Sequence, residues 1–374
     1  MEAYLDNSAT TKPCKESVDE IIKALTTDWG NPSSLHQKGM DAEELLKKAR
    51  KSVAGLIGAD SKEIVFTSGG TQSNNIAIIG AADALKRTGN KIITTAVEHP
   101  SVSKTFDKLE SEGFEVYRLG VDKHGSIDLD ELKSALDSKT VLVSIMAVNN
   151  ELGTIEPVSK ASKIIKEFSP AIFHIDAVQA FGKIPLSVKQ LGCDLMSMSS
   201  HKIHGPKGAG ALYVRNGIKL SPVVLGGGQE RDIRPGTEPM PAIAGFYGAV
   251  KALNVNESLR KLTALRDGFV KKLSDLDGVI LNTDENSLPY IVNISVPGLP
   301  SEAVLNLLSD MEIYVSSGSA CAKGHKSPVL TAAGLDSALI NSSLRISLSR
   351  FTTEAELDYF IEGIKTALKV IRRK

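Results

Sequence analysis

The sequence predicts an α/β fold with a mostly parallel sheet, followed by a smaller α+β unit. Three observations carry that reading. From about residue 62 to residue 215, short β-rich runs alternate with helix-period segments, the pattern of repeated βαβ units. Several of those runs end in polar, chemistry-bearing residues, at the edge where open α/β sheets bind ligands. Beyond residue 215 the alternation gives way to long helices and isolated strands.

At 374 residues the chain is long for one domain, so two units are expected: residues 13–255, and residues 1–12 with 256–374. Lys+Arg and Asp+Glu both count 44, which gives no electrostatic reason to expect a nucleic-acid or anionic-membrane partner. A hydrophobic content of 42% and a charged content of 24% are those of an ordinary globular protein. No apolar run approaches the ~20 residues that span a bilayer. The opening MEAYLDNSATT has neither a basic nor an apolar signal region, so a cytoplasmic location is expected. Cys14, Cys193 and Cys321 are too few and too scattered for a disulfide framework or a zinc site, and no metal is expected.

Residues 14–27 and 38–58 read as helices, the second with apolar positions at helical spacing in MDAEELLKKARKSVAGLIG. Between them, Trp29-Gly30-Asn31-Pro32-Ser33-Ser34-Leu35-His36 is turn chemistry, in which Asn31 and His36 taken alone are loop residues. Residues 63–67 form a short strand that runs into Ser68-Gly69-Gly70-Thr71 and then a helix through Ile76, Ile79 and Ala82. Strand, glycine turn and helix N-terminus make an anion cradle, because unpaired N–H groups and the helix dipole point the same way. The turn is neither a Walker loop nor a G-x-G-x-x-G fingerprint.

The strand at 91–97 leads to Glu98-His99-Pro100, where a flat imidazole can stack on a ring, relay protons, or simply sit hydrogen-bonded at the surface. Residues 114–119 form a strand, 130–136 a helix, and 141–148 a strand ending in Asn149-Asn150-Glu151. After a helix at 158–168, the apolar strand 171–175 ends in Asp176-Ala177-Val178-Gln179. A carboxylate there is costly unless paired. A protonated pyridine nitrogen is one such partner, the one pyridoxal phosphate enzymes use.

The stretch LMSMSSHKIHGPKGAG, residues 195–210, closes a strand in Ser199 and Ser200 and then presents His201 and Lys202 ahead of a glycine turn and a further strand, 210–214. A lysine at a strand tip, behind hydroxyls and a histidine, suits a carbonyl-trapping amine beside an anion, as in pyridoxal phosphate chemistry. A lysine next to Gly-Pro is also a common solvated turn residue. Four tips, carrying His99, Asn150, Asp176 and the Ser199/His201/Lys202 group, share one edge with an anion cradle and so point to one site.

In the tail, Gly226-Gly227-Gly228-Gln229-Glu230-Arg231 and Arg234-Pro235-Gly236-Thr237 form a charged, glycine-rich loop. Helices follow at 241–253 and 257–276, then a strand at 290–296, a helix at 302–311, strands at 313–316 and 344–349, and a helix at 353–371. Cys321 lies in a polar loop beside Lys323, His325 and Lys326, a setting that favours a thiolate; Cys14 and Cys193 lack it. Arg345, in LRISLSR, needs an anionic partner. A substrate carboxylate held by two bonds and an internal Asp or Glu both qualify.

Taken in order, YLDNSATT, GNPSSLH, IVFTSGGTQSNN, EHPSV, VSIMAVNNELGTI, HIDAVQAFGK, MSSHKIHGPKG, GGGQERDIRPGT, VSSGSACAKG and LRISLSRFTTEAELD resemble the NifS/IscS-type cysteine desulfurases. These are class V aminotransferase-family, fold-type I pyridoxal phosphate enzymes, and the resemblance covers nearly the whole chain. It implies a large domain with a mostly parallel seven-stranded sheet and a small domain carrying the catalytic cysteine loop. The SSGSAC form resembles the group with the longer loop.

By that resemblance Lys202 is the Schiff-base lysine and general base, and His99 the ring-stacking histidine. Asp176 partners the pyridine nitrogen and Gln179 the phenolic oxygen, while Gly70, Thr71, Ser199 and His201 form the phosphate cup. Thr237 matches the residue that reaches a neighbouring subunit's cofactor, which implies a homodimer. Asn150 and Arg345, with Asn31, match the substrate-binding groups, and Cys321 the sulfur acceptor. The implied reaction turns L-cysteine into L-alanine and a persulfide on Cys321, which passes its sulfur to an acceptor protein for iron–sulfur cluster or thiocofactor synthesis. Selenocysteine lyase or another class V aminotransferase-like activity is the alternative. The chain departs from the family's usual pattern in Thr71-Gln72-Ser73-Asn74-Asn75, which loses two carboxylates, and in Pro235 where serine is commoner.

Overall fold

The computed structural model describes residues 1–317 and 326–371. The chain begins with β1 (Ala3–Tyr4), α1 (Lys15–Thr26) and α2 (Gln37–Ile57). The alternating stretch follows as β2 (Ile64–Thr67), α3 (Gly70–Leu85), β3 (Lys91–Thr95), α4 (Pro100–Ser111), β4 (Glu115–Leu119) and α5 (Leu129–Ala135). It continues through β5 (Thr140–Met146), α6 (Val158–Phe168), β6 (Ile172–Asp176), α7 (Val188–Leu191), β7 (Leu195–Ser199) and β8 (Gly210–Val214). The remainder holds α8 (Met240–Lys251), α9 (Val255–Ser274), β9 (Ile280–Leu281), β10 (Ile291–Ser295), α10 (Ser301–Asp310) and β11 (Ile313–Tyr314). After the undescribed residues come α11 (Pro328–Ala332), α12 (Ser337–Asn341), β12 (Ser343–Ser347) and α13 (Glu354–Val370).

The main sheet has seven strands in the order β2-β8-β7-β6-β5-β3-β4. Only β8 runs against its neighbours; the other pairings are parallel. β5, β6 and β7 are buried along their whole length, as strands covered by helices on both faces must be. β4 closes one edge with exposed Glu115 and Arg118, and Arg118 pairs with Asp107 and Glu110, charges that discourage edge-to-edge pairing. One apolar cluster, with Phe66 and Phe181 each edge-on to Phe246, runs on through Phe269 and Phe360 in the tail. A second, built on Ile76, Ile78, Val102 and Phe106, covers the opposite face under α3 and α4.

The tail carries a three-stranded sheet, β12-β10-β9, while β1 pairs with β11. The first residues are thus tied to the tail. Among the described residues, no helix is long and apolar enough to cross a membrane.

The structure adds elements to the sequence reading. α4 was not expected, although Pro100 opens it and Val102, Phe106 and Leu109 give it a buried face. β3 stops at Thr95; Ala96 N still donates to Leu119 O before the chain turns at residues 96–97. The short α11 and α12 lack the length for a readable period.

Candidate active site

β7 ends at Ser199 and passes into a single 3₁₀ turn, Ser200–Lys202, which lifts Lys202 above the carboxyl edge of the sheet. Its Nζ donates to the backbone carbonyls of Ser8 (2.5 Å) and Ala9 (2.8 Å). Residues 6–11 therefore lie across the site as a strap. Thr11 donates through both its amide and its hydroxyl to His201 O, at 2.9 Å each. Thr10 Oγ1 meets His201 Nδ1 at 3.2 Å, and His204 N donates to Thr11 Oγ1 at 2.7 Å. Burial, with a smaller contribution from neighbouring cations, pushes both His201 and His204 down to about 4, so each is neutral at pH 7.

Asp176 is the last residue of β6 and is 5% exposed. Its Oδ1 accepts from Val178 N (2.9 Å) and its Oδ2 from Asn74 Nδ2 (2.7 Å). The other Asn74 N–H goes to Ser101 Oγ (2.8 Å), which sits 2.8 Å from His99 Nδ1. His99 caps α4, and Ser101 N also donates to Nδ1, so a neutral ring carries its proton on Nε2. Burial lowers the His99 pKa, Asp176 opposes that shift and Lys202 adds to it. A single line of bonds thus joins Asp176, Asn74, Ser101 and His99. Behind it Glu98 is fully buried, accepting from Thr95 Oγ1 and Met146 N. Burial first, and then Asp176, hold its carboxyl well above the usual range.

The glycine turn meets the same edge. Gly69 has φ +146°, a value that disfavours other residues. A Cβ on Gly70 would lie 2.6 Å from Val178 Cγ2, so the close approach of α3 to the site needs glycine. The Ser199 and Ser200 hydroxyls are buried without a hydrogen-bond partner, as is Asn74 Oδ1. Gln179 donates from Nε2 to Ser8 O (3.0 Å) and accepts at Oε1 from Lys183 Nζ (2.7 Å).

Arg345 is buried in β12. Its Nη2 pairs with Asp6 Oδ1 (2.8 Å) and its Nη1 donates to Asn150 O (3.0 Å), while Nε has no partner. Of the two anions the sequence left open, the internal carboxylate is the one seen. Ser316 and Arg345 exchange backbone bonds, and Ser327 donates to Glu151 Oε2 (2.6 Å). Cys321, between them in sequence, lies outside the described residues. Cys14 and Cys193 are buried, and burial raises both thiols, Cys193 to about 12.

Thr71 is exposed in the first turn of α3. Thr237 lies on an exposed loop, and Asn31 on an exposed turn closed by Ser33 N donating to its Oδ1. Among the described residues, neither Thr237 nor Asn31 bonds to the Lys202 cluster. Sequence reasoning missed Asn74, Ser101, Glu98, Lys183 and the carbonyls of Ser8 and Ala9. The apolar turn that buries Lys183 and the period of α3, which sets Asn74 one turn after Gly70, were the available signals.

An amine, a hydrogen-bonded carboxylate, a half-buried imidazole and a glycine-lined helix N-terminus meet at one sheet edge. The family model for aminotransferase class-V matches residues 3–360. A cysteine desulfurase IscS from Methanosarcina thermophila is 42% identical over 99% of this chain and 92% of its own length. This chain belongs to the class-V aminotransferases, among the cysteine desulfurases. A solved NifS-like protein superposes with a TM-score of 0.94 at 38% identity, covering 99% of this chain and all of the other. The structure titled SspA in complex with cysteine gives 0.84 at 34% identity, over 94% of this chain and all of that one. In this desulfurase-family chain, the mostly parallel seven-stranded sheet is accordingly that of the NifS-like fold.

Proposed function

We propose that this protein takes the sulfur of L-cysteine onto Cys321 and releases L-alanine, using pyridoxal 5′-phosphate held at the edge of the main sheet. The observation that carries the reading is the meeting of Lys202, the Asp176–Asn74–Ser101–His99 line and the Gly69–Gly70 turn at that one edge. The residues present fit a phosphorylated pyridine aldehyde. Ser199, which lies against Gly69 and Gly70, holds a buried hydroxyl that lacks a partner, as an anion site requires, and Gly70 leaves room that a Cβ would fill.

In this reading Gly70, Thr71, Ser199 and His201 take the phosphate, Asp176 the ring nitrogen, Gln179 the phenolic oxygen, His99 the ring face and Lys202 the aldehyde. When bound, that group supplies an electron sink for breaking bonds at the Cα of an amino acid. Arg345, whose Nε is unpaired, and Asn150 take the substrate carboxylate. Asn31 is proposed to sit near the same end of the substrate.

Lys202 moves the proton at Cα. The thiolate of Cys321 bonds to the substrate sulfur while the carbon–sulfur bond breaks, its electron pair staying on carbon and ending as a C–H bond of alanine. The balance is one L-cysteine and one thiol in, one L-alanine and one persulfide out. Asp176, held in place by Val178 N and Asn74 Nδ2, would meet the ring nitrogen without a cation from the protein beside it.

A homodimer in which Thr237 reaches the neighbour's phosphate, a sulfur-acceptor protein, a cytoplasmic location and the division into 13–255 and 1–12 with 256–374 complete the proposal. The test is alanine and sulfide release from L-cysteine, with and without a reductant, by wild type and Cys321→Ala. Persulfide on the wild-type protein and loss of sulfide in the variant are expected. An unchanged rate in Cys321→Ala rejects the route.

A further inference from the structure

Lys183 is a lysine where packing alone would place a methionine or leucine. It follows Gly182 (φ +71°) in the tight turn after β6, is 4% exposed, and lies 5.6 Å over the Tyr290 ring. Among the described residues, no carboxylate lies within ion-pair distance of its Nζ. The groups that face it are Lys202 and Arg345, the neutral His201 and His204, Arg350 across a small shared cavity, and the Tyr290 phenol. All the charges there are positive. Burial, then Lys202, then Arg345 push Lys183 down to about 7. A lysine buried among cations is costly to place whether charged or neutral, so its presence calls for a use.

Geometry supplies one. Gln179 and Lys183 stand four residues apart in the turn, and Nζ donates to Gln179 Oε1 at 2.7 Å. A glutamine amide can face its neighbours either way round, but a lysine Nζ that donates to it takes the carbonyl end. With Oε1 taken, Nε2 must face the strap, where it donates to Ser8 O, the same carbonyl that receives Lys202 Nζ. Lys183, Gln179, Ser8 and Lys202 form one continuous bonded line.

We propose that Lys183 is a positioning residue that locks the Gln179 amide nitrogen toward the coenzyme's phenolic oxygen. This rests on the cofactor assignment above. Drawing the phenolic oxygen's charge to Gln179 disfavours a proton on the nitrogen that links Lys202 to the coenzyme.

The experiment uses the coenzyme-loaded protein and follows its absorbance against pH for wild type, Lys183→Met, Lys183→Arg, Gln179→Ala and Gln179→Ala with Lys183→Met. Methionine matches the lysine stem and removes a buried amine, so the fold is retained; Lys183→Gln serves as the second arm if it is not. The midpoint is expected to rise by about one unit in Lys183→Met, a tenfold change in proton affinity. Lys183→Arg should restore most of that, and the methionine change should lose much of its effect in the Gln179→Ala background. A midpoint in Lys183→Met within a few tenths of a unit of wild type overturns the proposal, since a purely structural lysine would leave it there. A wild-type protein that takes up no pyridoxal 5′-phosphate overturns the cofactor assignment and this inference with it.

Discussion

The bond between Asn74 and Asp176 can be weighed without any ligand. Asn74→Ala removes a donor 2.7 Å from the Asp176 carboxylate and a second 2.8 Å from Ser101 Oγ. A hydrogen bond to a charged group contributes about 1.5–3 kcal/mol and one to a hydroxyl about 1 kcal/mol. Against that, Asn74 Oδ1 is buried without a partner, and removing it returns roughly 1 kcal/mol of desolvation. The single variant is therefore expected to lose about 1.5–3 kcal/mol, because Asp176, 5% exposed, keeps only Val178 N. Equilibrium urea unfolding of the coenzyme-free protein measures this, and a cycle with Asp176→Ala isolates the pair. The coupling should be about 1.5–3 kcal/mol. A value under about 0.5 kcal/mol would mean that Asp176 is held by other groups and that the line to His99 is incidental.

Two further outcomes follow from the same geometry. Gly70→Ala places a Cβ 2.6 Å from Val178 Cγ2, an overpacking of about 1–3 kcal/mol, and should weaken pyridoxal 5′-phosphate uptake roughly ten- to a hundredfold by absorbance titration; undiminished uptake would show that α3 can retreat. His174, fully buried between Ser144 and Ser197, has its pKa pushed from 6.5 down to about 3 by burial. Below pH 6.5 the unfolded chain binds a proton that the folded one refuses, so stability falls with pH at about 1.4 kcal/mol per unit from this residue until about pH 3. His174→Asn should flatten the pH dependence of the urea midpoint by that slope between pH 6 and 4, and parallel curves would place the acid sensitivity elsewhere.

The sheet and its chemical edge were legible because their signals are local. β5, β6 and β7 are apolar runs closed by Asn150, Asp176 and Lys202, and a strand's end fixes where the next side chain stands. α4 was overlooked because Ser101, Ser103 and Lys104 dilute a buried face carried by few residues. The partners of Lys202 were not legible at all. They are backbone carbonyls more than 190 residues away, and a carbonyl leaves no trace in residue identity. Asn74 stood in plain sight in Thr71-Gln72-Ser73-Asn74-Asn75, yet its meaning depends on β6 and α4 meeting beside it. Arg345 pairs with Asp6 from the far end of the chain, a meeting that only the fold brings about.

Asp6 and the Ser8 and Ala9 carbonyls belong to one strap, and that changes how the site's cations are to be understood. Arg345, with a side chain 3% exposed, and Lys202 each donate to acceptors that the strap supplies, Arg345 through Nη2 to Asp6 and Lys202 to the Ser8 and Ala9 carbonyls. Asn7 fixes the strap by donating to Tyr4 O and Ser347 O, and Ser8 N donates to Ser347 Oγ. A buried cation left without an acceptor is strongly destabilising. The strap therefore lets the chain hold an amine and a guanidinium beside each other before any anion arrives. An incoming carboxylate or aldehyde then competes with acceptors already in place, not with water, and binds with a smaller net gain than the bare charges suggest. Its binding energy is spent against contacts made by residues 6–9, so changes in that segment should alter affinity for ligands they never touch.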